Sequence, residues 1–90
     1  MSDKKVALIT GVGPGTGSSL ARRFNSGGYQ VAMIARDKNR LQLLEDDLDS
    51  SKGYSCELRN PEFLNNTIDE IIADFGCPDV FIHNAVRGTR

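Results

Sequence analysis

The stretch from Val6 to Gly17 constrains the fold most. Val6–Ala7–Leu8–Ile9 is an unbroken apolar run, followed at once by Thr10–Gly11–Val12–Gly13–Pro14–Gly15–Thr16–Gly17. A short run without polar alternation suits a strand buried on both faces, as in a parallel sheet. The turn behind it needs residues that carry no Cβ penalty, and it alternates glycine with other residues. A helical pattern then runs from about Thr16 to Asn25, with Leu20, Ala21 and Phe24 on one face, until Gly27–Gly28 stops it. Strand, glycine turn and helix in this order present free backbone N–H groups and a positive dipole end to an anion.

The same alternation repeats along the chain. Val31–Ala35 reads as a second apolar strand. Asp37 or Asn39 can cap the next helix, whose Leu41, Leu44 and Leu48 share a stripe, and Gly53 falls in its exit loop. Tyr54–Leu58 reads as a third, weaker strand. Asn60–Pro61 starts a helix well, with a capping acceptor followed by proline at the first helical position. Leu64, Ile68, Ile71, Ile72 and Phe75 keep the helical period up to Gly76, and Pro78 prevents its resumption. Val80–Phe81–Ile82 is the fourth strand. The expected architecture is β-α-β-α-β-α-β over residues 1–90, a single α/β domain. Right-handed crossovers make it a doubly wound, Rossmann-type parallel sheet with strand order 3-2-1-4 and helices on both faces. A ligand crevice is expected at the carboxyl ends of strands one and four, where the winding reverses.

Composition narrows the function classes. The chain has 90 residues, 39% hydrophobic and 26% charged, with a formal net charge of −1 and no basic block. Nucleic-acid binding, which rests on neutralising phosphates, is therefore not expected. No apolar run approaches membrane-spanning length. Met1–Lys5 is polar and leads straight into a strand, so no secretory signal is read and a cytoplasmic location is expected. Cys56 and Cys77 match no metal spacing, and two reduced thiols are expected.

The glycine spacing is informative. Strict G-x-G-x-x-G fails, because a start at Gly11 puts Thr16 in the last slot and a start at Gly13 puts Ser18 there. The pattern that fits without a gap is T-G-x-x-x-G-x-G, with Gly11, Gly15 and Gly17. This resembles the cofactor turn of the short-chain dehydrogenase/reductase family, and the resemblance extends from Lys5 to Val86. It implies dinucleotide binding by Gly11, Gly13, Gly15, Thr16 and Gly17, with a pyrophosphate close to the backbone.

The resemblance also gives meaning to the later strand ends. At Ile34–Ala35–Arg36–Asp37, Ala35 takes the slot that carries aspartate in NAD-preferring members, and Arg36 the slot that pairs with the NADP 2′-phosphate. A guanidinium fork matches phosphate oxygens. Asp37 competes as a ribose-binding acid, being 20 residues beyond Gly17, but it lies further out and suits a helix cap. Arg36, and with it NADP(H) over NAD, is preferred. Glu57 takes the slot of an aspartate that meets adenine in relatives. Asn84 and Ala85 match the family's Asn-Asn-Ala-Gly after strand four. His83 and Val86 depart from it, and the branched Val86 puts the nicotinamide end of the site in doubt. His83, the single histidine, has no visible catalytic or metal partners and is read as structural.

The implied parent reaction is hydride transfer between NADP(H) and a carbonyl or alcohol. The family's catalytic serine and Tyr-x-x-x-Lys are missing: the residues four after Tyr29 and Tyr54 are Met33 and Leu58. The expectation is thus the cofactor-binding half of a reductase, truncated and inactive alone. The alternatives are a stand-alone, non-catalytic dinucleotide module and a self-assembling remnant. Self-association through the edge of strand four is expected in each case, since nothing in the sequence covers that edge.

Overall fold

The computed structural model describes residues 4–11, 16–56 and 60–83. Its elements are β1 (Val6–Thr10), α1 (Thr16–Ser26), β2 (Gln30–Ala35), α2 (Lys38–Asp47), β3 (Ser51–Ser55), α3 (Pro61–Phe75) and β4 (Val80–His83). The four strands form one sheet in the order β3-β2-β1-β4, and each pairing is parallel. This is the Rossmann-type winding expected from the sequence.

The two apolar layers result from strand alternation. On one face, Ile9, Val31, Met33 and Ala35 meet Ala21 of α1 and Leu41 and Leu44 of α2, with Leu48 just beyond. On the other, Leu8, Ala32, Ile34, Tyr54 and Cys56 meet Ile71 of α3, with Leu64, Ile68 and Phe75 packed alongside. Helices on both faces explain why every residue of β1 is buried. Complete burial of a side chain such as Leu8 or Ile9 is worth about 1.5–3 kcal/mol. The β1 and β2 runs therefore anchor the sheet.

The third strand corrects the sequence reading. It spans Ser51–Ser55 rather than Tyr54–Leu58, and Gly53 lies inside it rather than in a preceding loop. Leu58 is outside the described residues. The polar Ser-Lys-Gly-Tyr-Ser segment forms a strand because it is an edge, where only Tyr54 must be buried. Gly53 is required by packing. A Cβ there would lie 2.7 Å from the Leu41 Cβ, closer than carbon atoms tolerate, so glycine lets α2 settle on the strand. The Glu45 carboxylate on α2 accepts the Gly53 N–H, which occupies a backbone donor on the strand.

A second tie joins β3 to α3. The Tyr54 hydroxyl donates to Asp74 at 2.6 Å, and the Lys52 ammonium lies 3.3 Å from the same carboxylate. Burial, and then the bond to Asp74, raises the Tyr54 hydroxyl well above its ordinary value of 10. The bond from Tyr54 is also the main reason that the Asp74 carboxyl is held below its usual range.

Two stability measurements check this packing. Gly→Ala at a backbone angle alanine accepts gains about 0.4–1 kcal/mol, whereas overpacking a core costs about 1–3. At Gly53 the clash wins, so urea unfolding of Gly53→Ala is expected to show a net loss. The second concerns Tyr54→Phe. A raised tyrosine pKa contributes stability that is whole below the unfolded value and is lost as pH rises toward the folded one. The stability advantage of the wild type over Tyr54→Phe is therefore level near neutrality and shrinks above about pH 10. An advantage that stays level up to pH 11 would show that the hydroxyl is not held in this way.

Candidate dinucleotide site

The carboxyl ends of β1, β2 and β4 lie on one side of the sheet, because all the strands are parallel. The winding reverses between β1 and β4, so the crevice expected for an open α/β sheet lies at their carboxyl ends. At the end of β1, Gly11 takes a φ of +74°, which glycine adopts without strain, and its N–H bonds the Ile34 carbonyl at 2.9 Å. The chain resumes as α1 at Thr16, and Gly17 is buried in the first turn of that helix. No acidic residue stands in that turn to compete with an anion. Gly13 and Gly15 lie outside the described residues.

At the end of β2, Ala35 is buried and Arg36 is exposed. Asp37 is the N-cap of α2, and its Oδ1 accepts the N–H groups of Asn39 at 3.0 Å and Arg40 at 3.2 Å. Of the two residues weighed for the ribose end, Asp37 thus holds a helix and Arg36 borders open space. Ser55 donates to the Arg36 carbonyl at 3.3 Å, and the Cys56 N–H bonds the Ala35 carbonyl at 2.9 Å. These bonds fix the β2 end against β3.

Arg36 forms the rim of an open cleft of about 550 Å³, lined also by Ser55, Cys56, Phe63, Asn66, Thr67 and Glu70. Phe63 is 56% exposed. Its ring offers a flat apolar face, Asn66 an amide with both donor and acceptor, and Arg36 a cation. Such a cleft suits a planar, hydrogen-bonding base joined to an anionic group. Glu57, expected to meet adenine, lies outside the described residues.

The sequence reading did not single out Phe63 and Asn66. One signal for Phe63 was available: an aromatic residue in the first turn of α3, off the Leu64–Ile68–Ile71–Phe75 stripe. Asn66 carries no comparable mark.

At the end of β4, the Thr10 Oγ1 lies 2.7 Å from the His83 Nδ1, so the histidine has a partner that the sequence did not show. Asn84, Ala85 and Val86 lie outside the described residues. Cys56 is buried, Cys77 is exposed, and both are free thiols. Among the described residues no group of side chains could hold a metal ion, and no helix is long and apolar enough to cross a membrane.

Comparison with known proteins bears on the family and the fold. The family model described as short chain dehydrogenase matches residues 5–89. An uncharacterized oxidoreductase of Mycobacterium tuberculosis is 30% identical over 93 residues, which cover 96% of this chain and 27% of that protein. A variant of actinorhodin polyketide ketoreductase, solved with NADPH, superposes with a TM-score of 0.88 at 29% identity, covering 94% of this chain and 34% of its own. The 3-ketoacyl-(acyl-carrier-protein) reductase of Brucella melitensis, solved with NADH, gives 0.79 at 29% identity, covering 86% of this chain and 32% of its own. The chain thus spans about a third or less of each of these proteins.

Proposed function

The chain belongs to the short-chain dehydrogenase family, and on that premise we propose that it is the NADP(H)-binding portion of an oxidoreductase. The parent reaction is hydride transfer between NADP(H) and a carbonyl or alcohol. The observation that carries the cofactor choice is the division of labour after β2: Asp37 caps α2, while Arg36 stands at the rim of the cleft. An acid in the Ala35 slot would favour a ribose 2′-hydroxyl, whereas this chain has alanine there and an arginine next to it, which favours a 2′-phosphate. Relatives of this fold have been solved with NADPH and with NADH, so the discrimination rests on this chain's own residues.

In this reading the pyrophosphate lies against the Gly11–Gly17 turn and the start of α1, through Gly13, Gly15 and Thr16. The adenosine enters the cleft beside Phe63 and Asn66, where Glu57 is close in sequence. Asn84 and Ala85 follow β4 toward the nicotinamide half. The bound dinucleotide would supply or accept the hydride. This chain's residues bind and orient it, and the Tyr-x-x-x-Lys pair that moves the proton in the family is missing from the sequence.

Self-association is the second part of the proposal. β4 is an edge of the sheet, and Phe81 is 56% exposed on the face that carries α3. Among the described residues no strand pairs with its outer side, which leaves backbone donors and acceptors open to a second copy.

Isothermal titration tests the cofactor assignment. NADPH is expected to bind more tightly than NADH, by a charge-assisted contact worth about 1.5–3 kcal/mol, and Arg36→Ala to remove most of that preference. Gly15→Val, which puts a branched side chain in the pyrophosphate's path, should abolish binding while helix content by circular dichroism is kept. A wild type that prefers NADH would return the role to Asp37. For the edge, light scattering at about 100 µM should find a dimer or larger, and Phe81→Lys should dissociate or unfold it. A stable wild-type monomer overturns that part.

A further inference from the structure

The pairing of β4 with β1 fixes where the backbone groups of β4 point. The Asp79 N–H donates to the Val6 carbonyl at 2.8 Å, so Asp79 faces β1, and strand alternation turns Phe81 and His83 the same way. Val80 and Ile82 therefore direct their N–H and C=O groups away from the sheet, and among the described residues no strand pairs with that side. The side chains follow the same alternation. Phe81 is the register partner of Leu8, so it shares the face that carries α3, and it is exposed there. Ile72, on the flank of α3 opposite to Phe63 and Glu70, is exposed as well. The other edge of the sheet is not equivalent, because Glu45 accepts the outward N–H of Gly53 on β3.

We propose that β4 pairs antiparallel with β4 of a second copy, about a two-fold axis that passes through Phe81 normal to the sheet. The inference rests on the self-association reading above and names its register. A two-fold axis along the strands would make them parallel and set Val80 level with its own copy, whereas parallel strands bond only with a one-residue stagger. Antiparallel pairing centred on Phe81 sets Val80 against Ile82 of the second copy, and each such pair exchanges both of its hydrogen bonds. A shift toward the amino end would set Ile82 against Pro78, which has no N–H. Phe81 then opposes its own copy in a pair without hydrogen bonds, where Cβ atoms come within about 4.5–5.5 Å. The two exposed rings cover each other, and each α3 brings its Ile72 to the same face. His83 faces Asp79 of the second copy, an imidazole against a carboxylate. A formal net charge of −1 gives the copies little mutual repulsion. Such a pairing uses up β4 on both copies, and with the Gly53 donor already taken on β3 the assembly closes at a dimer.

Amide hydrogen exchange on the wild-type chain, followed by NMR, reads the register directly. The N–H groups of Phe81 and His83 face β1 in any state, whereas those of Val80 and Ile82 are protected only in the pair. At a concentration where light scattering finds a dimer, Val80 and Ile82 should exchange at least about tenfold more slowly than after dilution to monomer, with Phe81 little changed. Cysteine cross-linking locates the axis. In a Cys77→Ser background, where the remaining Cys56 is buried, Phe81→Cys should form an intermolecular disulfide on mild oxidation and Val80→Cys should not, because only position 81 meets its own copy. A dimer whose Val80 and Ile82 amides exchange as freely as in the monomer overturns this inference and leaves the self-association reading intact. A wild-type monomer at about 100 µM overturns both. Protection of the two amides that does not depend on concentration also overturns both, since it puts another segment of the same chain on the edge.

Discussion

The structure depends on the complete enclosure of β1. It pairs with β2 on one side and β4 on the other, and helices cover both of its faces. A strand in that position can have no polar side chain unless it is satisfied. Val6 to Ile9 comply, and Thr10 complies through its bond to His83. Enclosure also dictates the route of the chain beyond Thr10. A chain leaving the middle of a parallel sheet must climb onto a face, and after β1 ends at Thr10 it has done so by the start of α1 at Thr16. The start of α1 is thereby brought to the sheet's carboxyl edge, and a helix N-terminus favours an anion. The requirement that buries the strand thus produces the place where an anion can sit.

The remaining parts of the site are positioned by the neighbours of β1. β2 ends beside β1, and its last buried residue, Ala35, is followed by an abrupt change to exposed Arg36. Asp37 ends the loop by starting α2, so the arginine is held between a finished strand and a capped helix. β3 lies outside β2, and α3 returns over the opposite face. The gap between the β2–β3 ends and the first turns of α3 is the cleft with Phe63 and Asn66. Its shape reflects how α3 is phased. Leu64, Ile68, Ile71 and Phe75 face the sheet, which turns Phe63, Asn66 and Glu70 toward the β3 side.

Much of this was legible in the sequence because the buried strands carry their own signal. Val6–Ile9 and Val31–Ala35 are continuous apolar runs, and Asn60–Pro61 marks the start of α3. β3 was not legible in its true place. Ser51–Ser55 has almost no apolar character, and Gly53 reads as a loop residue until Leu41 is seen against it. Arg36 was named from its slot at the end of the second strand, which the family resemblance supplies, while the spacing to the glycine turn pointed to Asp37, the residue that caps α2. The position of Phe63 and Asn66 on the cleft beside Arg36 was not legible, because a helix's core stripe is visible in sequence and its flank is not until the neighbouring strand is known. The Thr10–His83 bond joins residues 73 positions apart and appears only once β4 is placed next to β1.

On the proposed function, this chain holds a dinucleotide by its pyrophosphate at the glycine turn and by its 2′-phosphate at Arg36. Phosphorus NMR of NADPH tests it most directly, because the two groups give separate signals. On addition of the chain, both the pyrophosphate and the 2′-phosphate resonances should shift and broaden, and Arg36→Ala should release the 2′-phosphate signal alone. A 2′-phosphate resonance that stays at its free position while the pyrophosphate moves would contradict the assignment of Arg36.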